Sequence, residues 1–158
     1  MQRVFPFLLA AALGSPALVF AENRAPWGSA DVLAITYTPQ KVLYDLDKGS
    51  PEELANILDR VGYLYQVTGS NPVETSIVVV IHGDAIPMFA IAQWQQYKAL
   101  MQRAQSLTVG TPIEFRMCQA AARMQNYQAG DIHGFVKMIP MADAEIVRLQ
   151  QAGYAYMR

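Results

Sequence analysis

The chain has 158 residues, of which 53% are hydrophobic, and a formal net charge of −1. This length supports one hydrophobic core, so a single domain is expected. A near-neutral chain without a cluster of lysine and arginine lacks the positive surface that binds nucleic acids or anionic membranes. We therefore expect neither as a partner. The single cysteine, Cys118, excludes a framework of intramolecular disulfides.

Residues 1–21 have the pattern of a secretory signal peptide. Arg3 precedes an apolar run over residues 4–13, and small or apolar residues follow up to Ala21. Proline and glycine interrupt the apolar stretch, and the run is shorter than the roughly 20 residues of a membrane-spanning helix. We therefore predict a periplasmic or secreted chain that begins near Glu22 and has no membrane span.

The region after the signal peptide divides into an arm and a domain. Residues 22–40 have a weak pattern broken by proline and glycine, which predicts an N-terminal arm, with Trp27 available to contact a neighbouring chain. The short apolar run Lys41–Leu46 predicts the first strand of a domain over residues 41–158. Ser50 then has the position of a helix N-cap, because a proline follows it and a glutamate lies three residues later.

The remaining pattern alternates between strands and helices. The unbroken β-branched run Ser76–Ile81 is typical of a central parallel strand covered on both faces. Further strands are predicted at 113–117, 134–139 and 154–157, and helices at 51–65, 89–107, 119–125 and 142–152. This order predicts a three-layer α/β sandwich with a mainly parallel five-stranded sheet flanked by helices on both faces.

Chemically capable residues follow three of the predicted strands. Asp45 ends the first strand, His82, Gly83 and Asp84 follow the second, and Cys118 follows the third. Ligands of open parallel sheets bind beyond the carboxyl ends of the strands, so these residues are candidates for one site. Whether the acid, the imidazole and the thiol touch depends on the strand order, which the pattern leaves open.

Cys118 admits three interpretations. Its place before a predicted helix favours a thiolate, because helix N-termini stabilise negative charge. It can equally be a small buried hydrophobic residue. The chain also has two histidines and eight methionines, soft ligands that would suit copper(I), although no ligand spacing supports a site and the methionines fall on predicted core faces.

No glycine-rich phosphate loop and no Gly-x-Ser-x-Gly turn is present, which disfavours nucleotide binding and serine hydrolysis.

Three segments resemble the DsrE-like sulfur-relay family, which is related to the YchN-like small α/β proteins. The first is a valine run followed by His-Gly, over residues 78–85. The second is a cysteine followed by an alanine-rich helix, over residues 118–123. The third is the C-terminal segment Arg-Leu-Gln-Gln-Ala-Gly-Tyr-Ala-Tyr, over residues 148–156. The resemblance implies a parallel sheet flanked by helices and assembly into trimers or hexamers. In relay members it also implies a cysteine that accepts sulfane sulfur as a persulfide, a role that carries over to Cys118.

The leading hypothesis is therefore an exported homo-oligomer that carries or binds a sulfur species at Cys118. It would be a carrier between a sulfur donor and an acceptor protein, without a metal or organic cofactor, and not a turnover enzyme. His82, Gly83, Asp84 and Asp45 are the supporting or ligand-binding candidates. The alternatives are a non-catalytic oligomeric binding or assembly module with an inert Cys118 and, third, a soft-metal protein.

Overall fold

The computed structural model describes residues 27–158, so the predicted signal peptide and the first residues of the arm lie outside the described residues. Residues 27–34 belong to one unit, and their side chains are exposed with no strand or helix among them. The second unit, Ile35–Arg158, contains the folded domain. Within residues 27–158, no helix has both the length and the apolar character needed to cross a bilayer.

The domain is built on a five-stranded sheet in which every strand pair is parallel. The order across the sheet is β4-β3-β2-β1-β5. The strands are β1 Lys41–Leu46, β2 Ser76–Ile81, β3 Ile113–Cys118, β4 Val136–Ile139 and β5 Ala155–Met157. The helices are α1 Pro51–Val67, α2 Trp94–Thr108, α3 Gln119–Met124 and α4 Ala142–Gln151. The strands and helices alternate along the chain as predicted.

Alternating side chains divide the sheet into two buried faces. Tyr44, Val79 and Phe115 pack with α1 and α2 in the larger cluster, whereas Leu43 and Val78 lie on the opposite face with α4. Both faces of the central strand are therefore covered, which explains why its sequence has no polar side. The predicted three-layer α/β sandwich is confirmed.

Local signals set the start of α1 but not the start of α2. The Ser50 hydroxyl accepts a hydrogen bond from the backbone N–H of Glu53 at 3.2 Å, as the N-cap pattern predicts. The helix predicted to begin at Phe89 begins instead at Trp94, after two 3₁₀ segments. The reason is a tertiary contact, because Ala90 forms an antiparallel bridge with a residue before β4 and so has extended dihedral angles.

Candidate functional site at the carboxyl edge of the sheet

The strand order brings the predicted acid, imidazole and thiol to neighbouring positions. Since β1, β2 and β3 are adjacent, their carboxyl ends place Asp45, His82 and Cys118 in succession along one edge. The Nε2 atom of His82 lies 2.7 Å from Oδ1 of Asp45. His82 and Cys118 line the same pocket, which has a volume of about 190 Å³. The strand order, which the sequence analysis left open, thus places all three residues next to one another.

Asp45 holds the His82 ring through a short hydrogen bond. That bond lowers the pKa of Asp45, and the same bond raises the pKa of His82 above its ordinary value. The hydroxyl of Tyr156, on β5, donates to the other oxygen of Asp45 at 2.5 Å. Because Nε2 of His82 faces Asp45, Nδ1 is the ring nitrogen left for a ligand or a neighbouring thiol.

Cys118 ends β3 and caps α3. Its side chain is buried, with 4% exposed, and Sγ accepts a hydrogen bond from the backbone N–H of Ala121 at 3.4 Å. The first turn of α3 is therefore directed at the sulfur, as the sequence predicted. The backbone N–H of Ala121 thus gives the Cys118 sulfur a fixed hydrogen-bond donor.

Gly83 and Asp84 follow His82 directly, in the 3₁₀ segment after β2. Gly83 has a φ of +56°, and a Cβ at this position would lie 2.8 Å from the carbonyl oxygen of Asp47. Its own carbonyl accepts a hydrogen bond from Nε2 of Gln125 at 2.8 Å, which ties the turn to the residue that follows α3. Asp84 is exposed and is not among the residues that line the Cys118 pocket. Gly83 therefore acts through its backbone, whereas Asp84 contributes nothing to the pocket lining.

Two methionines that the sequence analysis assigned to the core lie on the wall of this pocket instead. Met124, at the end of α3, is 87% exposed, and Met141, just before α4, is 48% exposed. Alanines and Asp143 complete the lining. The sequence carried one usable signal, since Met124 ends the short helix that follows β3 and Met141 comes shortly after β4, so both lie near the carboxyl ends of adjacent strands.

A chain of ion pairs holds α4 over the sheet beside the pocket. Arg116 on β3 pairs with Glu145 on α4 and with Glu114, the latter at 2.6 Å. Hydrogen bonds from Arg148, and after it from Arg116, lower the pKa of Glu145 to about 2. The first residues of α4 line the Cys118 pocket, so these ion pairs fix one of its walls.

Comparison with known proteins adds the fold alone. No protein-family model and no curated protein matches the chain. Among solved structures, it is similar to a protein of unknown function from Methanobacterium thermoautotrophicum, with a TM-score of 0.61 and 18% sequence identity over 75% of this chain and 98% of that chain. The likeness supports the α/β architecture, and the resemblance to the DsrE-like family stays a prediction.

Proposed function

We propose that the protein is a DsrE-like sulfur carrier that holds sulfane sulfur as a persulfide on Cys118. One observation carries the proposal: the thiol shares a pocket with an imidazole that a carboxylate holds in place. An imidazole fixed beside a thiol is the arrangement that activates cysteine nucleophiles. Export, assembly into trimers or hexamers, and separate donor and acceptor proteins belong to the same proposal.

The chemistry needs only the groups of the site and two partner thiols. His82 takes the Cys118 proton at Nδ1, and Asp45 stabilises the resulting imidazolium. The thiolate attacks the outer sulfur of a donor persulfide, so a new S–S bond forms at Cys118 while the donor leaves as a thiolate. An acceptor thiolate then attacks that outer sulfur and releases Cys118. Each step is an exchange, and no external oxidant or reductant is consumed.

The size and lining of the pocket fit this role. A volume of about 190 Å³ holds the reacting sulfur atoms and leaves the bulk of a donor protein outside. Cys118 itself is only 4% exposed and three alanines line the pocket beside it, so the reacting sulfur is sheltered from bulk solvent, which favours transfer between thiols over loss to solvent.

Intact-mass measurement after treatment of the native protein with inorganic polysulfide tests the proposal. We expect a gain of one sulfur atom that is removed by dithiothreitol and absent from Cys118→Ser. Because Cys118 is the only cysteine of the chain, no other thiol can account for the gain. If the wild-type mass is unchanged and native Cys118 alkylates no faster than the denatured chain, the inert assembly module replaces the carrier.

A further inference from the structure

Four soft donor groups line the pocket beside β3. They are the thiol of Cys118, the imidazole of His82 and the thioethers of Met124 and Met141. They come from three separate strand ends, so only the folded sheet brings them together. The remaining lining is mostly alanine, which leaves space between the donors.

Core packing does not explain these two methionines. Methionine usually fills buried gaps, as Met88, Met101 and Met117 do here with 1% or less of their surface exposed. Met124 and Met141 instead leave apolar surface in solvent without a packing role in either core cluster. Two solvent-facing thioethers at the pocket of the single cysteine favour a ligand that binds sulfur.

The hydrogen bond between Asp45 and His82 supports a metal ligand. Histidines that bind metals commonly donate the N–H of the other ring nitrogen to a carboxylate, which fixes the tautomer and makes the ligating nitrogen more basic. Asp45 accepts from Nε2 at 2.7 Å, and Nδ1 is then the coordinating atom. Tyr156 holds the second oxygen of Asp45 and keeps the carboxylate in place.

We propose that Cys118, His82, Met124 and Met141 form a binding site for one copper(I) ion. Thiolate and thioether ligands select copper(I) over magnesium and calcium, and thioethers are not among the ligands typical of zinc sites. Within residues 27–158, His, Cys, Asp and Glu side chains form no group of three that could hold a metal ion, so the proposed ligand set needs the two methionines. On binding, the Cys118 proton passes to solvent, and no electron is transferred because copper enters as copper(I).

This inference does not rest on sulfur carriage, although the two ligands would compete for Cys118. Sulfur transfer needs the thiol and His82, whereas copper(I) also needs the thioethers. The double variant Met124→Leu, Met141→Leu therefore separates them, because leucine keeps the apolar volume and removes both sulfur atoms. Met157→Leu is the matched control, since Met157 is also exposed but does not line the pocket.

The test is an oxygen-free titration of the purified protein with copper(I) against a chromophoric copper(I) chelator. We expect one copper(I) per chain, retained in Met157→Leu and lost in Cys118→Ser. Asp45→Asn, which removes the carboxylate behind His82, should weaken binding by about 10–100-fold. The double methionine variant should lose at least as much affinity while it still gains one sulfur atom from polysulfide.

Two results would overturn the copper(I) site. One is wild-type protein that does not compete with the chelator, and the other is a double methionine variant that binds as tightly as wild type. Circular dichroism of each variant checks that the fold is retained. A chain that binds copper(I) as expected but never gains sulfur would refute the carrier and leave the metal site intact, so the two proposals fail separately.

Discussion

The ion pairs of Glu145 with Arg148 and Arg116 make stability depend on pH in a defined window. Glu145 is 10% exposed, and its pKa falls from 4.5 to about 2 in the folded chain. A group whose pKa is lowered by folding stabilises the native state above its unfolded pKa and loses that contribution as the pH falls through its folded pKa. The shift corresponds to at most about 3 kcal/mol, present near pH 7 and lost progressively below about pH 4.5.

Urea denaturation of wild type and Glu145→Gln between pH 7 and pH 3 measures this contribution. We expect the variant to be less stable by about 2–3 kcal/mol at pH 7, with a difference that shrinks as the pH falls below 4.5. Asp59→Asn is the control, because Asp59 pairs with Arg103 in a mostly exposed setting and should change stability by less than about 1 kcal/mol. A difference for Glu145→Gln that stays constant across this range would refute the assigned ionic contribution.

Two further predictions concern the turn and the acid beside the site. Gly83→Ala should lower the free energy of unfolding by about 1–3 kcal/mol in urea denaturation, because φ at this position is +56° and the new Cβ would meet a carbonyl oxygen. Gly130→Ala is the control and should be close to neutral, because a Cβ there has no neighbour within 4 Å. Equal losses of stability in the two variants would contradict the strain argument. Asp45→Asn should slow alkylation of native Cys118 by iodoacetamide, and Tyr156→Phe should slow it less, because Tyr156 acts only through Asp45. Unchanged rates in both variants would remove Asp45 from the site.

The elements that local chemistry determines were predictable from the sequence. Ser76–Ile81 reads as a central strand because both of its faces are buried, and Ser50 reads as an N-cap because its hydroxyl bonds three residues ahead. The start of α2 was predicted wrongly because Phe89 is buried at helical spacing yet lies in a 3₁₀ segment. The bridge that interrupts the helix joins Ala90 to Ile132, and local patterns carry no information about such a distant partner.

The sequence predicted three residues of the candidate site but neither their arrangement nor the two methionines beside them. Asp45, His82 and Cys118 could be placed at one edge because parallel strands end on the same side. Their order along that edge depends on the sheet topology, which joins β2 to both β1 and β3. The methionines were missed because spacing assigns an apolar residue to a helix face, whereas its exposure depends on what packs against that face.

The return of the chain to β1 completes the site. After β4, helix α4 crosses the sheet so that β5 pairs with β1, and Leu43 lies opposite Tyr156 in that pairing. Only this pairing places the Tyr156 hydroxyl on Asp45, and Asp45 in turn orients His82. The position of the imidazole thus depends on β5, the last strand in chain order. Helix α4 leads into β5 and also supplies one wall of the Cys118 pocket. In the proposed mechanism, activation of Cys118 by His82 therefore depends on the complete sheet.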